Sequence, residues 1–266
     1  MKRLAWVCLT WLVAMPAHAY LIDLNDARTV APGTMELELQ PLGYGQSLLG
    51  EEEHYLIAPS QQYYIGLAQD WDVLYTCRGY VSLDDVPDQS PYVLAEQFVA
   101  LRRVLVNGSY NDEELSGPSL ALQMGAYIPG VEAETGFGAS LAVLFAWRGE
   151  VGTIHGNVWF NYTQDETFDV FTSVAMEGPP AWPVRPTIEV YVDVNDGEPY
   201  VSGLLGAIGD VSDEFALQAG VRVGGTVDGE EEYADIEIRL SSWIYWEVIP
   251  QDEGEEEEEE EEEDEG

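Results

Sequence analysis

The stretch Thr187-Ile188-Glu189-Val190-Tyr191-Val192-Asp193-Val194 alternates Thr, Glu, Tyr and Asp with Ile and Val, one for one. The same rhythm returns in Phe215–Val223 and in Ala234-Asp235-Ile236-Glu237-Ile238-Arg239-Leu240. Successive residues of a strand point to opposite faces. Val184–Val248 therefore reads as a series of hairpins, each strand with one apolar face and one face of ionised groups. Two arrangements satisfy such strands. A soluble sandwich turns the charged face to water and the apolar face to its core. A membrane barrel turns the apolar face to lipid and the charged face inward.

Working outward, the N-terminus bears on that choice. Met1–Ala19 has the form of a secretory signal. Lys2 and Arg3 make a basic start, Leu4–Met15 is an uncharged apolar run, and Ala17-His18-Ala19 is a small-x-small cleavage site. The run is too short to span a bilayer as a mature helix. The expected division is a signal at 1–19, a β domain at 20–250 and an acidic disordered tail at 251–266. Cleavage leaves Cys77 alone, so an internal disulfide is excluded. No later segment has 18 consecutive apolar residues, so the mature chain is either soluble or a barrel.

The formal net charge is −40 at pH 7. Of the 50 acidic residues, 13 fall in Asp252–Glu265, which leaves 37 in the body against eight arginines and no lysine after the signal. Nucleic-acid binding needs basic groups to neutralise phosphates, so it is excluded as a function class. The balance favours cations as counter-ions or cargo. The tail has nothing apolar to bury, and its like charges repel.

In chain order, Thr34–Gln40 is the first alternating strand, with Glu36 and Glu38 on one face. Leu21–Gly33 reads as an irregular leader and Gly43–Ser60 as a long polar loop. Further strands cover Gln62–Gln69, Asp72–Val81, Gln97–Val106, Ser119–Tyr127, Phe137–Trp147, Gly152–Thr163 and Phe168–Met176. Pro91–Leu105 is the one stretch with a helical rhythm, and its second half reads as strand. Glu177–Pro186 is Pro-rich and reads as a connection. With the hairpins of the opening stretch and Tyr200–Ile208, about 12 strands result, an even number as in a closed up-and-down barrel. Short turns at Asp70-Trp71, Arg148–Glu150 and Gly209–Asp213 fall on one side. The long loops Gly43–Ser60 and Ser82–Tyr92 fall on the other, the asymmetry of an outer-membrane barrel. Aromatics near strand ends, including Trp71, Trp147, Tyr162 and Trp182, suit interfacial girdles.

Catalytic signatures are missing. There is no G-x-S-x-G elbow, no H-E-x-x-H pair and no zinc-type cysteine pair. No cofactor or metal site is expected. His54 follows Glu51–Glu53 and reads as part of a solvated charge run. Asp193-Val194-Asn195-Asp196-Gly197-Glu198 lacks the ligand series of a calcium loop and reads as a hairpin turn. The polar face carries more information. Glu36, Glu38, His155, Glu189, Asp193, Arg222, Asp235, Glu237 and Arg239 stand opposite apolar neighbours, and Arg78 joins them. In a barrel these residues line the lumen, pairing crosswise or setting cation preference as charged rings do in pores.

The signal, the early Gly33-Thr34-Met35-Glu36-Leu37-Glu38 and repeats of the form strand-Gly-Leu-x-x-Asp-x-strand resemble the outer-membrane barrel family associated with the meta-pathway of phenol degradation. The closest stretches are Ile65–Val73, Gly117–Gly130 and Arg185–Gly224. The resemblance implies a barrel of about 12 strands and the passage of small, hydrophobic molecules. The acidic tail departs from it, because outer-membrane barrels often end on an aromatic strand, and here Glu247–Gly266 follows Trp243–Trp246.

The expectation is thus an all-β, closed antiparallel up-and-down transmembrane β-barrel of about 12 strands. It would be a non-enzymatic channel or transporter for small solutes or cations, its partner the lipid of a Gram-negative outer membrane. The alternative is a soluble exported β-sandwich that binds cations or a surface partner.

Overall fold

A computed structural model describes residues 27–40, 44–47, 55–57, 60–82, 92–108, 117–129, 136–163, 166–195, 197–212, 215–227, 232–242 and 246–247. The expected signal, the acidic tail and His54 lie outside them. Among the described residues there are fifteen strands: β1 (Thr34–Gln40), β2 (Tyr44–Ser47), β3 (Tyr55–Ile57), β4 (Ser60–Ala68), β5 (Trp71–Ser82), β6 (Tyr92–Asn107), β7 (Gly117–Ile128), β8 (Gly138–Gly149), β9 (Gly152–Tyr162), β10 (Phe168–Glu177), β11 (Val184–Asn195), β12 (Glu198–Ser212), β13 (Phe215–Thr226), β14 (Glu232–Ser242) and β15 (Trp246–Glu247). Twelve have seven residues or more; β2, β3 and β15 are short.

All pairings are antiparallel and, from β4 to β14, strictly between neighbours in sequence. Up-and-down order follows from hairpin connections that leave no chain to cross over. The sheet returns on itself. At one end β15 pairs β1, with Thr34 opposite Glu247. At the other β2 pairs β14, with Tyr44 opposite Ile236, and the β2–β3 hairpin runs on to β5 at Ile57 opposite Val81. β5 also pairs β6, so the ladder closes into a ring. Closure satisfies the backbone groups that an open edge would expose.

The structure corrects several sequence readings. Gly43–Ser60 was expected to be loop throughout, yet it holds β2 and β3, which extend the first two long strands and complete the ring. The Pro-rich connection ends earlier than expected: β11 starts at Val184 and contains Pro186, which stands opposite Ala207. The helical rhythm over Pro91–Leu105 gives no helix, and β6 runs as strand from Tyr92 to Asn107. Ladder partners on both sides, β5 and β7, outweigh the local signal. Two turns are as read: Asp70 adopts φ 64° between β4 and β5, and Gly197 adopts φ 88° between β11 and β12, whereas the turn read at Gly209–Asp213 is ladder-paired strand as far as Ser212.

Burial alternates with period two. Along β8, Ser140, Ala142, Leu144 and Ala146 are buried, while Leu141, Phe145 and Trp147 are exposed. The same holds on β11, where Arg185, Thr187 and Glu189 are buried and Ile188 and Val190 exposed. The barrel is therefore apolar outside and largely polar or small inside, the reverse of a water-soluble protein. A sandwich would bury Ile188 and Val190, so that alternative is overturned.

Candidate functional site on the inner face

Strand alternation delivers a set of charged side chains to the enclosed face, and ladder register decides which of them meet. Glu189, Leu204, Arg222 and Asp235 stand on one row across β11, β12, β13 and β14. Arg222 reaches past Leu204. Its Nη2 donates to Glu189 Oε2 at 3.2 Å and its Nη1 to Ser202 Oγ at 2.9 Å. Its guanidinium lies 4.7 Å from the centre of the Tyr191 ring. Glu189 is 0 % and Arg222 2 % exposed, so this ion pair is held away from water. A buried carboxylate is tolerated only when paired in this way.

A second pair joins adjacent strands. Asp72 of β5 and Arg102 of β6 are ladder partners, and the guanidinium grips the carboxylate bidentately, Nε to Oδ1 at 3.0 Å and Nη2 to Oδ2. The Tyr64 ring lies 5.0 Å from Arg102, and the Tyr64 hydroxyl donates to Gln62 Oε1 at 2.7 Å. A third group sits where β10, β11 and β12 approach the short-turn end. Arg185 donates to Glu177 from Nε and to Asp210 from Nη1 and Nη2, the last at 3.0 Å, while His155 Nε2 stands 3.7 Å from Glu177 Oε2. Near the chain start, Arg28 Nη2 donates to Glu36 Oε1 at 3.3 Å.

Between these pairs the wall is not ionic. Leu74, Phe98, Ala100, Val104, Ala121, Ala142, Leu144 and Ala146 form an apolar patch on the inner face of β5–β8. Gln123 and Ser140 on β7 and β8, and Asn157 and Ser173 on β9 and β10, add neutral polar groups. Among the described residues, no group of three His, Cys, Asp or Glu could hold a metal.

Of the residues singled out from sequence, Glu36, Glu38, His155, Glu189 and Arg222 are buried on this inner face, and Asp193 is half-buried on it. The structure brings Glu189 to Arg222 and sets His155 beside Glu177. It does not gather the nine into one cluster; they are spread over β1, β9, β11, β13 and β14. Ladder register places Asp235, Glu237 and Arg239 opposite Arg222, Gly220 and Gln218, but their side chains, with that of Arg78, lie outside the described residues. Sequence reasoning passed over Asp72, Arg102, Glu177, Arg185 and Asp210. Asp72 and Arg102 do carry a signal: each is a charged residue within an apolar-rich strand.

The leader was missed as well. Ala27–Gly33 lies inside the ring. Ala27 packs in the apolar patch with Val104, Ala121 and Leu144, and Val30 with Tyr64, Leu74 and Phe98. The Val30 N–H donates to Asp72 Oδ2 at 3.2 Å.

No protein-family model matches the sequence. No curated protein matches it either. Among solved structures, an outer membrane channel from Pseudomonas putida F1 superposes with a TM-score of 0.53 at 10% identity, covering 84% of this chain and 100% of that one. An anion-selective porin from Comamonas acidovorans superposes with a TM-score of 0.41 at 7% identity, over 79% and 99% of the two chains. The first likeness is one of fold, and it agrees with the closed antiparallel barrel described above. The second is too distant to add to it.

Proposed function

We propose that this protein is an outer-membrane β-barrel that passes small solutes, favours cations and catalyses no reaction. The observation that carries the reading is the inverted polarity of a closed ring: aliphatic and aromatic side chains outside, paired charges inside. Water gives no reason to expose Leu205, Val221 and Met124 together on one continuous surface, whereas a hydrocarbon layer does. Aromatic residues fit the two boundaries of such a layer. Phe137, Tyr162 and Phe168 mark one end of the barrel, and Trp147 and Trp182 the other. Phe137 and Trp147 bracket β8, which at the usual strand tilt corresponds to an apolar band of about 25 Å, the height of an outer-membrane barrel. Arg103 lies at the Trp147 end on the outer face, with its guanidinium 5.1 Å from the Trp71 ring, as a side chain reaching back to an interface would.

On this reading residues 1–19 are a signal removed on export and the barrel sits in the outer membrane. The short-turn end would face the periplasm. The sequence resemblance to the barrels associated with the meta-pathway of phenol degradation points the same way, and so does the fold shared with a protein described as an outer membrane channel. Among the described residues the inner face carries Glu36, Glu38, Asp72, Glu177, Glu189, Asp193 and Asp210 against Arg28, Arg102, Arg185 and Arg222, and this excess of carboxylate would set the sign of the field along the bore.

Two measurements test this. Cell fractionation should place the mature chain with the outer membrane; recovery in the soluble periplasm without detergent would refute the reading. In planar bilayers, the Glu189→Gln and Glu237→Gln double variant should lose cation preference relative to the unaltered protein. Unchanged selectivity would remove the inner carboxylates from the mechanism.

A further inference from the structure

We propose that Asn161, Asp169 and Asp193 form a binding site for one hard divalent cation, calcium by size and charge. It lies on the inner wall near the end of the barrel marked by Tyr162 and Phe168. The three residues stand on neighbouring strands. Asn161 of β9 and Asp169 of β10 are ladder partners, and Asp193 of β11 is the partner of Phe171, one inward-facing position further along β10. Register thus sets the two carboxylates side by side, within hydrogen-bonding reach of each other. Ionised carboxylates only accept, so neither satisfies the other. Elsewhere on the wall Asp72, Glu177, Glu189 and Asp210 each meet an arginine. Among the described residues no arginine pairs with Asp169 or Asp193.

The donors at hand leave a set of oxygens over. Asn161 Nδ2 donates to Asp169 Oδ2 at 2.8 Å, and the Val194 N–H faces Asp193. Oδ1 of Asp169, Oδ1 of Asp193 and Oδ1 of Asn161 have no donor, and all three are shut off from water. Asn161 is 7 % exposed, with its amide turned into the carboxylate pair. Ser140, its ladder partner on β8, is also buried, and its Oγ has no partner. Buried oxygens left in this state are costly. Calcium binds carboxylate and carboxamide oxygens in irregular sets of about 6–8, completed by water, and a carboxamide here takes the place of a third carboxylate. Two carboxylates match its double charge. Magnesium demands a near-octahedral shell and fits less well. The competing arrangement is one proton held between the carboxylates, which leaves Asn161 Oδ1 unserved. Asp169 and Asp193 are half-buried, so each also faces the bore, the ion's route in.

The test reads binding without current, so its failure leaves the conduction reading untouched. Terbium stands in for calcium, with the full chain folded in detergent micelles and checked by heat-modifiable migration. Trp159 lies two residues from Asn161 on the same face of β9, roughly 7 Å along the strand, close enough to sensitise terbium luminescence. The unaltered protein should give a saturable signal that calcium displaces. Loss of even an outer partner of a metal costs about 10–100-fold in affinity, so Asp169→Asn and Asp193→Asn should each weaken binding at least about tenfold. Asn161→Asp adds a third carboxylate and should tighten binding about tenfold, which a merely structural role would not do. The acidic run Asp252–Glu265 is common to every form and drops out of the comparison. Unchanged affinity in Asp169→Asn and Asp193→Asn would overturn the site. Where those variants fail to fold, unchanged or weaker binding by Asn161→Asp does the same. No calcium-displaceable signal in the unaltered protein would assign the pair to a shared proton and overturn the site as well.

Discussion

Arg222 and Glu189 meet across two strands at a depth where neither charge reaches water. The value of such a pair lies less in its attraction than in the cost of losing one member. Arg222→Met should therefore destabilise the folded barrel by about 3–5 kcal/mol, because it removes the guanidinium that balances the buried Glu189 carboxylate. Adding Glu189→Leu should recover most of that loss. Urea unfolding in lipid vesicles would show both effects, and a single variant as stable as the parent would mean the pair is solvated. Alternation makes each partner legible in the sequence as a charged residue on the polar face. Their meeting is not legible, because it depends on a register that brings residues 33 positions apart onto one row.

At the scale of the strand, each element is written for two environments at once. β12 keeps Ser202, Leu204 and Ile208 inside and sends Val201 and Leu205 out. Leu205, 69% exposed and midway along β12, faces the centre of the proposed lipid layer. Leu205→Arg should cost about 2–4 kcal/mol of folding into a bilayer, whereas Ser202→Thr on the other face of the same strand should cost far less. Folding yield into vesicles, read by heat-modifiable migration, separates the two. Most strands were legible because alternation is a local property of a short run of residues. β2 and β3 were not. They are four and three residues long, and only their partners β14 and β5 make them strands.

At the scale of the whole molecule, the outer face makes folding depend on the solvent. In dilute buffer the exposed Leu, Val and Phe surface has no apolar partner. Chains refolded without detergent or lipid should aggregate, and the same chains in vesicles should migrate as a compact, heat-modifiable band. A monodisperse soluble monomer in buffer would contradict the barrel in its membrane. The bore is equally a property of the whole. Its ionic pairs and apolar patch come from strands on several sides of the ring, so no one strand announces the passage.

The sequence by itself determined that the chain is all-β, that its strands have two unlike faces, and that about twelve of them run in hairpin order. Each of these is local: side-chain period, turn residues, and the spacing between them. Only the tertiary structure decided which face is enclosed, which charges pair, and where the leader goes. The physical reason is closure. Once β15 and β2 meet β1 and β14, one face of every strand is shut away from solvent. Val30 and Asp72, 42 positions apart in the sequence, then become neighbours inside it.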